Sequence, residues 1–129
     1  MIIVDTDVLI DFLAGVDPVR RQIAAYLDAG QIETTVINAF ELLSGARQDT
    51  RGHAVRTLVG GLPVLPLERN SAERAAVVRQ QLEQTGESIG MADSLIAGIA
   101  LTHSLPLFTR NRRHFEKVAT LKLIDVATS

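Results

Sequence analysis

Four side chains with oxygen donors, spread across the chain, have the residue types that metal-assisted or acid–base chemistry needs. They are Asp5, Glu41, Asp93 and Asn111. Carboxylates that share one pocket repel each other and raise one another's pKa values, and a divalent cation removes that penalty. Because the donors are all oxygens and the chain has no cysteine, the set suits Mg²⁺ or Mn²⁺ better than Zn²⁺. A metal there would polarise a phosphate and lower the pKa of a bound water, so the pattern predicts phosphodiester hydrolysis.

Short apolar runs alternate along the chain with longer amphipathic stretches. Strands are predicted at residues 2–4, 32–36, 64–67, 107–109 and 121–124, the third of them an edge or a bulge because of its prolines. Helices are predicted at residues 8–13, 18–30, 37–47, 54–58, 71–84 and 91–103, with Thr35 and Ser71 as N-caps. Strands that alternate with helices favour a parallel sheet covered on both faces. We therefore predict an α/β fold, a three-layer αβα sandwich with a mostly parallel central sheet, as one domain over residues 1–129.

The predicted topology brings three of the four candidates to one edge of the sheet. Functional sites of open α/β sheets lie outside the carboxyl ends of the strands. Asp5 follows the first strand directly. The helix that Asp93 begins runs down and the strand at 107–109 climbs back, so Asn111 should emerge near the level of Asp93.

Glu41 lies in a helix whose other residues are mostly apolar. The preceding strand ends about six residues earlier, or roughly 9 Å along the helix, which keeps Glu41 near the same edge. Helical spacing puts it on one face with Ile37, Phe40 and Ser44, so we predict that it points inward. A buried glutamate is costly without compensation, and a metal ion or a distant arginine would supply it.

Each candidate also has a purely structural interpretation. Asp5 would serve as the N-cap of the next helix. Asp93 would place a favourable negative charge at a helix N-terminus. Asn111 would be an ordinary turn residue after a strand. The four together favour a site more strongly than any one of them alone.

The charge balance limits how nucleic acid would be held. The chain has 13 basic and 15 acidic residues, for a net charge of −2, whereas a protein with a broad nucleic-acid surface is usually basic. A local contact remains, and Arg110, Arg112 and Arg113 are its candidates, with a solvated helix face as the alternative. No apolar run is long enough to span a bilayer and no leader precedes Asp5, so we expect a cytoplasmic protein without membrane contact.

Three stretches of the chain and one single residue resemble PIN-domain ribonucleases, and most closely the VapC toxins of toxin–antitoxin pairs. The stretches are residues 4–10, 90–97 and 108–115, and the single residue is Glu41. The resemblance covers nearly the whole chain, and the order and spacing of the stretches make it specific. It implies a PIN-like αβα sandwich, one or two Mg²⁺ or Mn²⁺ ions, and endoribonuclease cleavage of structured RNA such as tRNA or ribosomal RNA. It also implies a homodimer that a VapB-type antitoxin silences.

The resemblance assigns roles to residues by position. The catalytic, metal-binding carboxylates become Asp5, Glu41 and Asp93. Asn111 becomes either a further metal ligand or the residue that orients a metal-bound water. Thr6 and Thr109 become supporting residues, and Asp7, at a position where the family varies, is treated as a supporting acid. The resemblance does not assign Arg110, Arg112 and Arg113, for which an antitoxin interface is a further alternative to the predicted RNA contacts.

Three other functions are compatible with parts of the sequence. Asp5-Thr6-Asp7 is also similar to the nucleophile motif of haloacid-dehalogenase-like phosphatases, but Leu9 stands where that family has threonine, and no lysine precedes Asp93. A receiver-like binding domain would need an aspartate after the third strand, where this chain has Glu68. A PIN-like domain that has lost catalysis is disfavoured by three intact carboxylates.

Overall fold

The computed structural model describes residues 1–127, which form a four-stranded parallel sheet with helices on both faces. The strands are β1 (Ile2–Val4), β2 (Ile32–Thr35), β3 (Val64–Leu65) and β4 (Leu107–Phe108). Their order is β3-β2-β1-β4, so β1 lies between β2 and β4. The helices are α1 (Thr6–Leu13), α2 (Val19–Asp28), α3 (Val36–Gly45), α4 (Thr50–Gly61), α5 (Arg69–Gln84), α6 (Met91–His103) and α7 (Arg112–Phe115).

Alternating side chains of the strands build two separate cores, one on each face of the sheet. Ile3 and Leu107 face the core that α5, α6 and α7 cover. Val4 and Phe108 face the opposite core, which receives α1, α2 and α4. This alternation is what a strand buried on both faces requires. The predicted three-layer αβα sandwich with a parallel sheet is therefore confirmed.

The predicted fifth strand at residues 121–124 is wrong. Only one bridge forms there, between Leu107 and Leu123. Leu107 is the β4 residue that pairs with this segment: its backbone N–H donates to the Lys122 carbonyl, and its own carbonyl accepts from the Ile124 N–H. β4 is only two residues long, so it offers little backbone for a further strand to pair with.

Two helices also differ from the prediction. Ser71 is not an N-cap, because α5 begins at Arg69, and the Ser71 hydroxyl is buried with no hydrogen-bond partner among residues 1–127. The short helix predicted at residues 54–58 is the middle of α4, which Asp49 caps by accepting a hydrogen bond from the Gly52 N–H. The predicted helix was too short because glycines near both ends of α4 lower the local helix propensity.

The α5–α6 pair is packed closely enough to require a glycine. A Cβ on Gly98 would lie 2.5 Å from the Ser71 carbonyl oxygen and 2.7 Å from the Ala75 Cβ. α6 is apolar because α5 and the sheet bury it, with Ile96 and Ile99 fully covered. Its apolar character is thus accounted for by the core, and none of the helices within residues 1–127 has both the length and the hydrophobicity to cross a membrane.

We predict that Gly98→Ala lowers the free energy of unfolding by about 1–3 kcal/mol, because the added methyl overpacks the α5–α6 contact. Gly60 is the matched control, since a Cβ there has no neighbour within 4 Å, and Gly60→Ala should raise stability by about 0.5–1 kcal/mol through helix propensity. Urea unfolding followed by circular dichroism measures both. A Gly98→Ala protein as stable as Gly60→Ala would contradict this account of the packing.

Candidate active site

The carboxylate of Asp5 is the centre of the candidate site. Asp5 follows β1, caps α1, and is only 4% exposed. Its Oδ1 accepts hydrogen bonds from the Thr6 backbone N–H at 2.9 Å and from Asn38 Nδ2 at 2.7 Å, and its Oδ2 accepts from the Thr109 hydroxyl at 2.6 Å. Asp5 therefore does cap α1, as its structural interpretation predicted. It also accepts hydrogen bonds from Asn38 and Thr109, which capping alone does not require.

Asn38 is a site residue that the sequence analysis missed. It is fully buried in the first turn of α3. Its Nδ2 donates to Asp5 and to the Thr6 hydroxyl, while its Oδ1 accepts from the Thr35 hydroxyl at 2.7 Å. Thr35 in turn accepts from the Asn38 backbone N–H, so the predicted Thr35 cap is confirmed as half of a capping box. An asparagine three residues after a threonine that ends a strand was the available signal.

Glu41 lies at the rim of the site and does not point inward. The buried face of α3 carries Asn38, Ala39 and Leu42, whereas Glu41 is exposed and Phe40 is 71% exposed. The helical phase of the prediction was therefore wrong. Glu41 still joins the site, because the Thr6 hydroxyl donates to its Oε1 at 2.8 Å.

Asp93 is held by a residue for which the sequence analysis gave no role. Asp93 lies in the first turn of α6, with its side chain 20% exposed, and its Oδ2 is 2.6 Å from Nδ1 of His114 on α7. The α7 helix was not predicted, and four residues are too few for a recognisable period.

Thr109 and Asn111 connect Asp5 to the chain beyond β4. The Thr109 hydroxyl donates to Asp5 and accepts from the backbone N–H of Asn111 at 3.0 Å. Asn111 is exposed, and its side chain makes no cap hydrogen bond to α7. The structure thus gives Thr109 a direct contact with the central carboxylate and leaves the Asn111 side chain facing solvent.

Two of the three candidate RNA-binding arginines are engaged in ion pairs. The Arg110 guanidinium donates to both carboxylate oxygens of Asp11, at 2.9 and 2.8 Å, and its backbone N–H donates to Asp7. Arg112 pairs with Asp125 at 3.1 Å. Asp7 and Asp11 are one helical turn apart on α1, so Arg110 ties α1 to the segment after β4.

The carboxylates of the site have perturbed acidities. Burial raises the pKa of Asp5, and the negative charge of Asp93 adds to that rise, while the hydrogen bonds from Thr109, Thr6 and Asn38 oppose it. Burial, with a further contribution from the Asp5 charge, raises the pKa of Asp7 to about 6. The acids therefore lie close enough to repel each other, and a cation between them would relieve that repulsion.

The donor chemistry fits a hard divalent cation, although the donors are not gathered in advance. Within residues 1–127 no three acidic or histidine side chains stand close enough to hold one ion. Glu41 is turned to Thr6 and Asp93 to His114. Each of these two acids keeps one carboxylate oxygen free of hydrogen bonds to the described residues, so each has an oxygen to offer. A bound cation would have to draw them together.

A polar cleft of about 460 Å³ borders the Asp93–His114 pair. The loop before α6 forms one wall, and the segment from Arg110 through α7 forms the other. The lining residues are Glu87, Ser88, Ile89, Arg110, Asn111, Arg113 and His114. Arg113 makes no ion pair with any residue the structure describes, which distinguishes it from Arg110 and Arg112.

Comparisons with known proteins find similarity over nearly the whole chain. Residues 2–121 match the PIN domain. Ribonuclease VapC10 of Mycobacterium tuberculosis is 34% identical over 122 residues, which are 95% of this chain and 91% of that protein. The tRNA(fMet)-specific endonuclease VapC of Shigella flexneri is 27% identical over 103 residues, 77% of this chain and 78% of that protein. The solved structure of VapBC-1 from nontypeable Haemophilus influenzae has a TM-score of 0.80 and 25% identity, covering 97% of this chain and 98% of that one.

The raised pKa of Asp7 predicts how stability depends on pH in chelator. A folded-state pKa of about 6 against 3.8 for the free side chain means that folding favours the neutral acid. The contribution of protonated Asp7 to folding stability is complete below pH 3.8 and is lost as the pH rises through about 6. Asp7→Asn should therefore have a higher melting temperature than the wild type at pH 7 and a smaller decline between pH 4 and 7. Thermal melts measure this, with the exposed Asp28→Asn as the matched control. If the melting temperature of Asp7→Asn falls between pH 4 and 7 by as much as that of the wild type, Asp7 is not the source of the fall.

Proposed function

This chain belongs to the PIN-domain family and is a nuclease related to ribonuclease VapC proteins, and we propose that it is a magnesium-dependent endoribonuclease acting within a single domain as the toxin of a type II toxin–antitoxin pair. The observation that carries the proposal is the buried Asp5 carboxylate at the end of β1, with the charge of Asp93 close enough to raise its pKa. PIN-domain nucleases generally depend on divalent metal ions. The phosphatase and receiver alternatives do not account for the family match.

The residues that would hold the metal ion are Asp5, Glu41 and Asp93, with the Asn111 side chain a candidate fourth ligand or the group that orients a water. Mg²⁺ is the ion proposed, and Mn²⁺ should substitute, because all donors are hard oxygens. When bound, the ion would polarise the scissile phosphate and lower the pKa of an attacking water.

The chain's own residues prepare the site for this chemistry. Asn38, Thr109 and the Thr6 backbone N–H hold Asp5 in one orientation. The Thr6 hydroxyl fixes one oxygen of Glu41. Asp7 and Asp11 anchor the segment after β4 through Arg110.

The proposals for the RNA substrate and the protein partners are supported by the names of similar proteins. The Shigella flexneri relative is tRNA(fMet)-specific by name, so we propose structured RNA, tRNA or ribosomal RNA, as the substrate class and the cytoplasm as its location. VapBC complexes are among the similar structures, so we propose a VapB-type antitoxin as partner. Exposed apolar side chains on α3, namely Val36, Phe40 and Leu43, agree with burial of surface in a complex, and we propose a homodimer as well.

The purified chain, freed of any antitoxin, is expected to cleave tRNA or ribosomal RNA in Mg²⁺ or Mn²⁺ and to stop in excess chelator. Loss of a residue that only supports a metal ligand costs about 10- to 100-fold. Because Asp93 is itself a proposed ligand, Asp93→Asn should lower the rate of cleavage by more than about 100-fold. It should stay folded, because the new amide keeps an oxygen that can accept from His114. Denaturing gels and thermal melts measure this, with Asp28→Asn as control. Cleavage at full rate in chelator would rule out the metal mechanism.

We further predict that Arg113 alone among the three arginines contacts RNA phosphate. In an Asp93→Asn background, in which cleavage is strongly slowed, Arg113→Ala should weaken binding of labelled tRNA. It should also reduce the slope of log affinity against log salt by about 0.7–0.9, which corresponds to one released counterion. Arg112→Ala is the matched control and should leave the slope unchanged, since Arg112 pairs with Asp125. Fluorescence anisotropy at several salt concentrations measures both. If Arg113→Ala and Arg112→Ala lose RNA affinity and salt slope equally, the overall positive charge of the region binds RNA and Arg113 has no special role.

A further inference from the structure

His114 is brought to Asp93 by the buried residue that follows it. Phe115 is fully buried in the core beneath α5 and α6, and Val118 packs in the same core. These two side chains fix α7 against α6, so His114 reaches the first turn of α6 while its own side chain remains about half exposed. The 2.6 Å contact between its Nδ1 and the Asp93 Oδ2 is thus set by core packing.

The same segment is fixed at its other end by Asp5. The Thr109 hydroxyl joins Asp5 Oδ2 to the Asn111 backbone N–H, and the Asn111 carbonyl accepts from the His114 N–H at 3.0 Å. The two central acids are therefore connected through one short stretch of chain, from Thr109 to His114. Each of them has an oxygen engaged by a donor from that stretch.

We propose that His114 is a positioning residue for Asp93. Its Nδ1–H donates to Asp93 Oδ2 and leaves Oδ1 to the divalent metal ion, as Thr6 engages one oxygen of Glu41 and leaves the other. A carboxylate with one oxygen held in this way loses less side-chain freedom on binding a cation. The inference rests on the proposed function, because it assumes that a metal ion binds beside Asp5 and Asp93.

The alternative is that the contact is a surface pair of no consequence. A contact between partly exposed side chains contributes little to folding stability even when both are charged, so the two interpretations agree on thermal melts in chelator and differ in metal affinity. A role in RNA binding differs again, because it would change the KM for RNA and leave metal affinity unaltered. Metal binding without RNA is therefore the measurement that decides.

Isothermal titration of the RNA-free chain with Mn²⁺ tests the proposal. His114→Ala should lower Mn²⁺ affinity about 10- to 100-fold, the usual cost of losing a partner of a metal ligand. His114→Asn should retain most of the affinity, because its amide Nδ2 donates from about the position of Nδ1. His114→Gln places its amide near the Nε2 position and should behave like His114→Ala. His103→Ala, on the exposed end of α6, is the matched control.

In cleavage assays, His114→Ala should need more Mn²⁺ for half-maximal rate, with the KM for RNA unchanged. Wild-type Mn²⁺ affinity in both His114→Ala and His114→Gln would overturn the proposal and leave the nuclease function standing. An equal loss in His114→Asn would also overturn it, since the imidazole itself would then be required. If the wild-type chain neither binds Mn²⁺ nor cleaves RNA in a chelator-sensitive way, the metal-dependent function fails, and this inference fails with it.

Discussion

A carboxylate buried at the end of an interior strand is the constraint on which the rest of the site depends. Removing Asp5 from water is costly unless donors replace the lost hydration, and the donors come from three places in the fold: the start of α1, the first turn of α3 and the end of β4. β1 must therefore lie between the strands that lead to α3 and to Thr109, which is the observed order of the sheet. The parallel arrangement and the acidic site are two aspects of one requirement.

The hydrogen bonds around Asp5 have a single consistent direction, which makes the network rigid. Asn38 uses both hydrogens of its amide on Asp5 and Thr6, so its oxygen is left to accept from Thr35. Thr6 accepts from Asn38 and must then donate to Glu41. Thr109 accepts from a backbone N–H and must donate to Asp5. Neither Asn38 nor Thr109, both of which are buried, can reverse its hydrogen bonds without leaving a buried polar atom unsatisfied.

The sequence was informative where local chemistry and periodicity determine structure. Strand ends and helix periods predicted the sandwich, α6 to the residue and the Thr35 cap, whereas Thr109 received its supporting role from the family resemblance. The inward position of Glu41 was wrong because an apolar surface residue, Phe40, was taken as a core residue, and the helical phase shifted with it. Asn38 and His114 were missed because their partners, Asp5 and Asp93, are 33 and 21 residues away in sequence. Tertiary packing alone determines such pairs.

The separation of Thr109 from Asp5 by 104 residues has a consequence for biosynthesis. Chains leave the ribosome from the N-terminus, so Asp5 emerges first and Thr109, its last donor, emerges 104 residues later. Before then β1 lacks its β4 neighbour, and the cleft lacks the wall that α7 provides. A nascent chain therefore has an incomplete site until the segment from Thr109 to α7 has left the ribosome, and the newly made ribonuclease becomes competent only after that point.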